Sequence, residues 1–535
     1  MLNYVWTALI FLGIAAAVSV DITESAYNRF SNNVPLQTKI TLLGEIELGE
    51  KVPAQISFEK SSLSKHFNQI IEKDLEVKTD LIFSDSTNGV AIIKVNSAMP
   101  KVLLDMAKVN GKEDDLMINI SSFASTGENL YTAKLNFEEI TFRKIKEVTN
   151  SAISFAETAV KIALGLIGIM AMWLGIMKIA EAAGVINILA RGLRPVTKFL
   201  FPDVPHDHPA IGSIIMNVSA NFLGLSNAAT PFGLKAMEEL DKLNENKGTA
   251  TNAMCTFLAI NTAGITMIPA TAIAIRAAAG SAQPAIIIGT SLFASCCATI
   301  AGITAVKLFE SLSSGKKTDG SSFSFAPLFK ILKFVVPVVL AAVTLYFTGV
   351  LSYISVDFVK KTIELFSTIA IPLIIALFVG AGLYKKVKVY ETFVEGAKEG
   401  FNIAVKIIPY LVAMLVAIGI FRAGGAMDWL IYAFTPLTDL VGMPAEALPM
   451  AIMRPLSGSG SLAIMAEIIS THGPDSFIGI LVSTFFGATE TTFYVLAVYF
   501  GSVNIKNTRH ALPAGLIADV AGILAAVFIV KILFT

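Results

Sequence analysis

Two kinds of apolar segment alternate along this chain. Unbroken runs fall near 4–20, 157–179, 250–277, 285–307, 329–350, 363–384, 402–422, 475–500 and 511–534. Each is long enough, with some tilt or mismatch, to predict a helix that crosses a bilayer. Two other stretches, near 209–242 and 447–471, are interrupted. The second is split by Arg454-Pro455-Leu456-Ser457-Gly458-Ser459-Gly460-Ser461, between the short runs Ala447–Met453 and Leu462–Ile469. The first is split by Leu225-Ser226-Asn227-Ala228-Ala229-Thr230-Pro231. Broken backbone at membrane depth is tolerated only where protein or a water-filled cavity satisfies its polar groups. A pair of interrupted segments in the two halves of a chain points to a transporter's binding site. Segments 184–200 and 425–436 are shorter and amphipathic, and predict helices lying in the interface.

Residues 21–147 change character. Charges are frequent, and short runs such as Lys39–Leu43, Ala91–Val95 and Leu130–Leu135 alternate apolar with polar, which predicts strands. Helices are expected near Leu63–Lys73 and Lys101–Val109. The expectation is an inserted soluble α+β domain with its own core. Its His66 reads as a surface residue. No lysine or arginine precedes the 4–20 run, which predicts a retained anchor rather than a cleaved signal peptide.

The membrane part repeats itself. Ala159-Val160-Lys161-Ile162 opens one unit and Ala404-Val405-Lys406-Ile407 another. Each continues with an apolar run, a Gly-rich end, an amphipathic stretch and an interrupted segment. Then comes a polar break inside a long run, at Ile260-Asn261-Thr262 and at Thr489-Glu490-Thr491, and a closing apolar run. Lysine and arginine cluster at 191–198, 307–333, 385–388 and 506–509, and the positive-inside rule puts all four on the cytoplasmic side. The two units then enter the membrane from opposite faces. The expected fold is a polytopic α-helical membrane protein with two inverted gate repeats (re-entrant helical hairpins and broken helices), plus the inserted α+β soluble domain. Its expected divisions are an anchor at 1–20, an extracytoplasmic domain at 21–147, a first repeat at 148–312, a linker at 313–328, connecting helices at 329–400 and a second repeat at 401–535.

Composition fits this reading: 54% of residues are hydrophobic, 15% charged, and the mean hydropathy is +0.67. Forty-one basic against 41 acidic residues argue against a nucleic-acid partner. Cys255, Cys296 and Cys297 all lie in apolar runs and give neither a disulfide framework nor zinc spacing. No HExxH, GxSxG or Walker loop is present, so no enzyme, metal site or cofactor is expected.

Candidate chemistry gathers at the breaks. In the first unit the polar candidates are Asn217, Asn221, Ser226, Asn227, Thr230, Asn261 and Thr262, with Thr266 nearby. In the second they are Arg454, Ser457, Ser459, Ser461, Thr489, Glu490, Thr491 and Thr492, with Thr484 and Glu467 nearby. A broken helix exposes unpaired N–H groups on one half and unpaired carbonyls on the other, so it can hold anions and cations. Amides and hydroxyls beside it can donate and accept to a polar solute. Ser, Thr and Asn inside spans also serve as plain interhelical hydrogen-bond glue. Charges are different: Arg454 and Glu490 in apolar surroundings default to function, as a mutual pair or as ligands. Glu467 and Lys161 lie nearer segment ends and are expected to snorkel, and Pro269 and Pro409 to kink helices.

Asn217–Asn221, Asn227–Met237 and Phe257–Thr262 resemble the spore maturation A family. Met453–Gly460, Thr471–Ser476 and Ala488–Tyr494 resemble the spore maturation B family. The chain is similar to a fusion of the two, with 21–147 outside the resemblance. Both belong to the nucleoside-recognition, or gate, domain family, distantly related to concentrative nucleoside transporters and to the membrane part of ferrous-iron transporters. The resemblance implies a bacterial inner-membrane transporter or channel for a small polar, nucleoside-like solute. Ferrous iron, with the cysteines as soft ligands, and a non-transporting scaffold or sensor remain the alternatives. Expected partners are the lipid bilayer and that solute; a coupling ion and homo-oligomerisation are left open.

Overall fold

The computed structural model describes residues 2–109, 114–127, 129–224, 226–314 and 356–534. The run predicted at 329–350, the linker from 315 onward, and the side chains of Ser226 and Asn227 lie outside the described residues. Contacts divide the chain into two compact units: Thr7–Ile153 with Gly419–Asp428, and Met1–Trp6 with Ser154–Ile418 and Trp429–Thr535.

In the smaller unit the alternating runs fold into β1 (Leu36–Leu42), β2 (Lys51–Phe58), β3 (Leu75–Phe83), β4 (Gly89–Lys94), β5 (Asp115–Gly127) and β6 (Leu130–Phe137). All neighbours are antiparallel, and β1 pairs with both β2 and β6: Ile40 faces Ile56 on one side and Tyr131 on the other. The sheet is therefore a closed six-stranded barrel. The alternation places Leu36, Thr38, Ile40 and Leu42 of β1 inside, where they meet Ile56, Leu81, Ile93, Ile118 and Leu135. Helices α2 (Lys60–Phe67) and α3 (Lys101–Val109) add Leu63, Phe67, Leu103 and Met106 to the same core. An α+β arrangement was expected, and a closed barrel carrying two short helices stands in its place; α3 fills the expected stretch 101–109, whereas α2 starts at Lys60 and ends at Phe67, short of the expected Lys73. Closure is what alternation leaves unspecified, because it depends on strand tilt and stagger. His66 is half-buried against the rings of Phe67 and Phe137. Helix α1 (Leu2–Ala26) ends in a fastening: Asp21 accepts from the backbone N–H of Lys144 and Ile145 at 2.7 and 3.0 Å, in the first turn of α4 (Arg143–Ala182). A carboxylate there satisfies orphan donors and complements the helix dipole.

The larger unit is helical. Beyond α4 come α5 (Val185–Leu200), α6 (Pro209–Phe222), α7 (Ser226–Lys242), α8 (Asn252–Ala263), α9 (Ala270–Ala278) and α10 (Ile287–Ser314). Then follow α11 (Val356–Tyr384), α12 (Val389–Ala423), α13 (Ala426–Val441), α14 (Leu448–Leu456), α15 (Gly458–His472), α16 (Phe477–Ala488), α17 (Thr492–Ser502) and α18 (Ala511–Phe534). The order long helix, amphipathic helix, two broken pairs, long helix occurs in α4–α10 and again in α12–α18. Helix α10 lies along α18, and α8 packs on both. Small residues permit this: Gly302 meets Ala518 and Ala263, and Gly522 meets Ala298 and Ala488.

Among the described residues six stretches are long and apolar enough to cross a membrane: Trp6–Ala26, Arg143–Ala182, Pro284–Leu312, Val389–Ala423, Phe477–Ser502 and Ala511–Phe534. The predicted run 250–277 is not one helix, since Gly264 in the left-handed region (φ 51) and Pro269 end α8 and start α9. Pro269 thus marks a helix boundary rather than a kink, while Pro409 sits inside α12.

Helix α12 meets α4 through Gly396 and Gly400, one turn apart. A Cβ at Gly400 would stand 2.5 Å from the Met170 carbonyl, and one at Gly396 2.4 Å from that of Leu174. Gly400→Val should therefore destabilise the helical unit by about 1–3 kcal/mol, the usual cost of overpacking. Gly380→Val, in α11 with nothing within 4 Å of its Cβ, controls for the change in helix propensity. Thermal unfolding of the detergent-solubilised variants checks this; equal losses would refute a close α4–α12 crossing.

Candidate functional site

The first broken pair turns at Leu223 and Gly224, the latter at φ 78, where a Cβ would meet the Ile268 carbonyl at 2.5 Å. Asn227, Thr230 and Pro231 belong to α7 rather than to the break. Likewise Asn261 and Thr262 lie in the last turn of α8, and the backbone breaks just after them, over 264–269. In the second repeat one residue suffices: Ser457, extended at φ −154, separates α14 from α15. Thr489, Glu490 and Thr491 separate α16 from α17 as predicted.

The breaks are tied together by backbone. Met267 N–H donates to Phe222 O at 2.8 Å, joining the two breaks of the first repeat. Glu490 N–H donates to Thr262 O at 2.8 Å, joining one repeat to the other. Gly264 allows this approach, since a Cβ there would stand 2.7 Å from Glu490 Cγ. Arg454, 2% exposed, completes the second repeat. It donates to Thr491 Oγ1 at 3.0 Å and to the Thr489 carbonyl, and its guanidinium lies 4.8 Å from the centre of the Phe486 ring. Its Nη2 stands 3.7 Å from Glu490 Oε2, and the Glu490 side chain is 41% exposed. The predicted pair exists: a buried cation held beside a carboxylate that reaches open space.

Asn217 Nδ2 donates to Ala229 O at 2.8 Å and reaches Tyr499 Oη of the second repeat at 3.3 Å. Asn221 Nδ2 donates to Asn261 Oδ1 at 3.0 Å, while Asn261 Nδ2 is spent on Phe257 O. Thr230 is half-buried and has a partner within the protein. Three serines serve the local turn: Ser457 Oγ caps α15 by accepting from Gly460 N–H, Ser459 lies 3.4 Å from it, and Ser461 Oγ donates to Ser457 O. Thr266 likewise bonds to Gly264 O, and Thr484 meets Thr290 at 2.9 Å between α16 and α10. Glu467 does not snorkel: it is 1% exposed and accepts from Thr471 Oγ1.

Three side chains escape the sequence reading. Tyr499 carries no charge to mark it. Asp519, 2% exposed in α18, accepts from Thr492 Oγ1 at 2.5 Å. Arg276, fully buried at the end of α9, pairs with Asp475 at 2.9 Å. Both are charges inside apolar runs, the signal that singles out Arg454 and Glu490.

The arrangement offers a polar ligand amides, hydroxyls, one carboxylate with an exposed face, and the N-terminus of α17, which lacks a side-chain cap. Among the described residues no group of three or more His, Cys, Asp or Glu could hold a metal ion. Cys255 is buried, and Cys296 and Cys297 are half-buried.

The nucleoside-recognition Gate family profile matches residues 163–306 and 404–506, which hold the two sets of breaks. Spore maturation protein B of Bacillus subtilis (strain 168) is 50% identical over 174 residues, 32% of this chain and 98% of that protein. Spore maturation protein A of the same organism is 48% identical over 162 residues, 30% of this chain and 81% of that protein. No solved structure matches the chain. Apolar helices and relatives agree on a multi-pass membrane protein. The chain belongs to the nucleoside-recognition Gate family and joins, in one polypeptide, a region like spore maturation protein A to a region like spore maturation protein B.

Proposed function

We propose that the helical unit moves a small polar solute across the bacterial inner membrane, by displacement of one inverted repeat against the other. The observation that carries this is the hydrogen bond from Glu490 N–H to Thr262 O. It links broken backbone of both repeats beside the Arg454–Glu490 pair. Discontinuous helices meeting at one site are how transporters bind substrate at mid-membrane and change access by rocking one repeat. A nucleoside is the favoured solute class, because the family's description is nucleoside recognition and the site offers neutral donors and acceptors beside charge. Positive-inside loops put residues 21–147 outside the cytoplasm. The relatives' names point to spore maturation, and movement of a small solute is compatible with such a process.

Reconstituted vesicles should take up labelled nucleoside faster than empty ones. Glu490→Gln should cut that flux by about 10-fold or more, as losing a charge-assisted contact of ~1.5–3 kcal/mol implies. Removing the barrel should leave flux intact. Uptake equal to empty vesicles for the whole panel of nucleosides would sink the transport reading. A biological role lost with the barrel alone would favour a sensor.

A further inference from the structure

Helix α18 presents Gly515, Asp519 and Gly522 on one face, at i, i+4 and i+7. A Cβ at Gly515 would stand 3.0 Å from Thr492 Cγ2 and 3.4 Å from Thr262 Oγ1; one at Gly522 would stand 2.7 Å from Thr489 Cγ2. Threonines from the broken helices of both repeats therefore bracket Asp519 above and below. Thr492 Oγ1 donates to Asp519 Oδ2 at 2.5 Å, and the Thr489 hydroxyl lies beside the same carboxylate. Yet Asp519 Oδ1, Thr262 Oγ1 and Thr489 Oγ1 are all buried without a hydrogen-bond partner. Each such orphan costs about 1–3 kcal/mol and needs a reason.

Charge supplies one. The Arg454 cation is matched by Glu490. Arg454 also acts on Asp519 through its charge, but one cation facing the two carboxylates Glu490 and Asp519 leaves the ionised group with one uncompensated negative charge at depth. We propose that Asp519 and the hydroxyls of Thr262, Thr489 and Thr492 bind a monovalent cation of sodium size. An all-oxygen donor set selects a hard ion, and a single carboxylate suits one positive charge rather than two. The cation joins α8, the α16–α17 break and α18, so its occupancy biases how the repeats sit together. That coupling role rests on the transport reading; the binding does not.

The test uses the full chain in nanodiscs, titrated calorimetrically with sodium chloride in choline chloride at constant ionic strength, with unfolding temperature read in parallel. Saturable sodium binding and stabilisation are expected, absent with choline. Asp519→Asn should abolish both, and Thr492→Val should weaken affinity by about 10- to 100-fold, as loss of an orienting partner does at metal sites. If Asp519→Asn fails to fold, Thr492→Val and Thr489→Val carry the same comparison. A wild-type chain indifferent to sodium, including one that responds to pH alone, overturns the proposal, as does an unchanged response in the threonine variants. Sodium binding without solute flux would leave this site standing and remove the transport reading. Flux with no sodium binding would do the reverse.

Discussion

Arg276→Met is expected to lower the stability of the helical unit by about 3 kcal/mol, the lower end of what removing one partner of a buried ion pair costs. The guanidinium is fully buried and uses its fork in several directions at once. It donates to Pro284 O at 3.2 Å, Pro474 O at 2.5 Å, Ser281 Oγ at 3.2 Å and Gln283 O at 3.4 Å, besides pairing with Asp475. Asp475 in turn accepts from Ser281 Oγ and Ala282 N–H. One side chain thus knots the loop after α9, in the first repeat, to the loop before α16, in the second. Methionine fills part of the volume but leaves several carbonyls without donors, each worth about 1–3 kcal/mol if it stays dry. The lower end applies because the Asp475 side chain is 44% exposed and water can take over its charge. The same exposure sets the order of the variants. Arg276→Lys, a point charge without the planar fork, should lose less than methionine, and Asp475→Asn least. Thermal unfolding in one detergent ranks the three. Should Asp475→Asn match Arg276→Met, the contact would be an ordinary ion pair and the knot of carbonyls would contribute nothing.

How far the sequence reached depends on the kind of signal each element leaves. Apolar runs and their interruptions are set by residue type alone, so the broken pairs α6–α7 and α14–α15 and the break at 489–491 were legible. Their register was less so. Asn261 and Thr262 are polar but helical, and the backbone breaks at Gly264, where only a residue at ease with positive φ can turn and where Glu490 packs against the missing side chain. Polarity marks the neighbourhood of a site; backbone freedom marks the turn itself. Arg454 and Glu490 were found because a charge in an apolar run is expensive. Arg276 and Asp519 obey that rule equally well, but the apolar runs around them carry no interruption to set them apart. Barrel closure left no local trace at all: each strand of 36–137 reads the same whether its sheet is open or shut, and only the pairing of β1 with β6 decides.

Glu490→Gln should destabilise the helical unit more than Arg454→Met, even though Arg454 is the more deeply buried residue. The asymmetry comes from what each change leaves behind. Without Glu490, a guanidinium whose side chain is 3% exposed remains at depth. It keeps Thr491 Oγ1, the Thr489 carbonyl and the Phe486 ring for company. An uncompensated buried charge costs about 3–5 kcal/mol, and the nearby Asp519 carboxylate holds the loss to about 3 kcal/mol. Without Arg454, the stranded group is a carboxylate that is 41% exposed and can be hydrated. What is lost is then chiefly the donor to the Thr489 carbonyl, about 1–3 kcal/mol, and methionine still packs on Phe486 through its sulfur. The double variant removes both charges together and should lose about 1–2 kcal/mol less than the sum of the single losses, within the coupling usual for residues in contact. Equilibrium unfolding of the four proteins in the same micelles, followed by far-ultraviolet circular dichroism, gives the cycle. Simple addition of the two losses would mean that Arg454 and Glu490 answer to separate surroundings. The second repeat would then hold its arginine through carbonyls alone, and Glu490 would be free to serve a solute without unsettling the helix beside it.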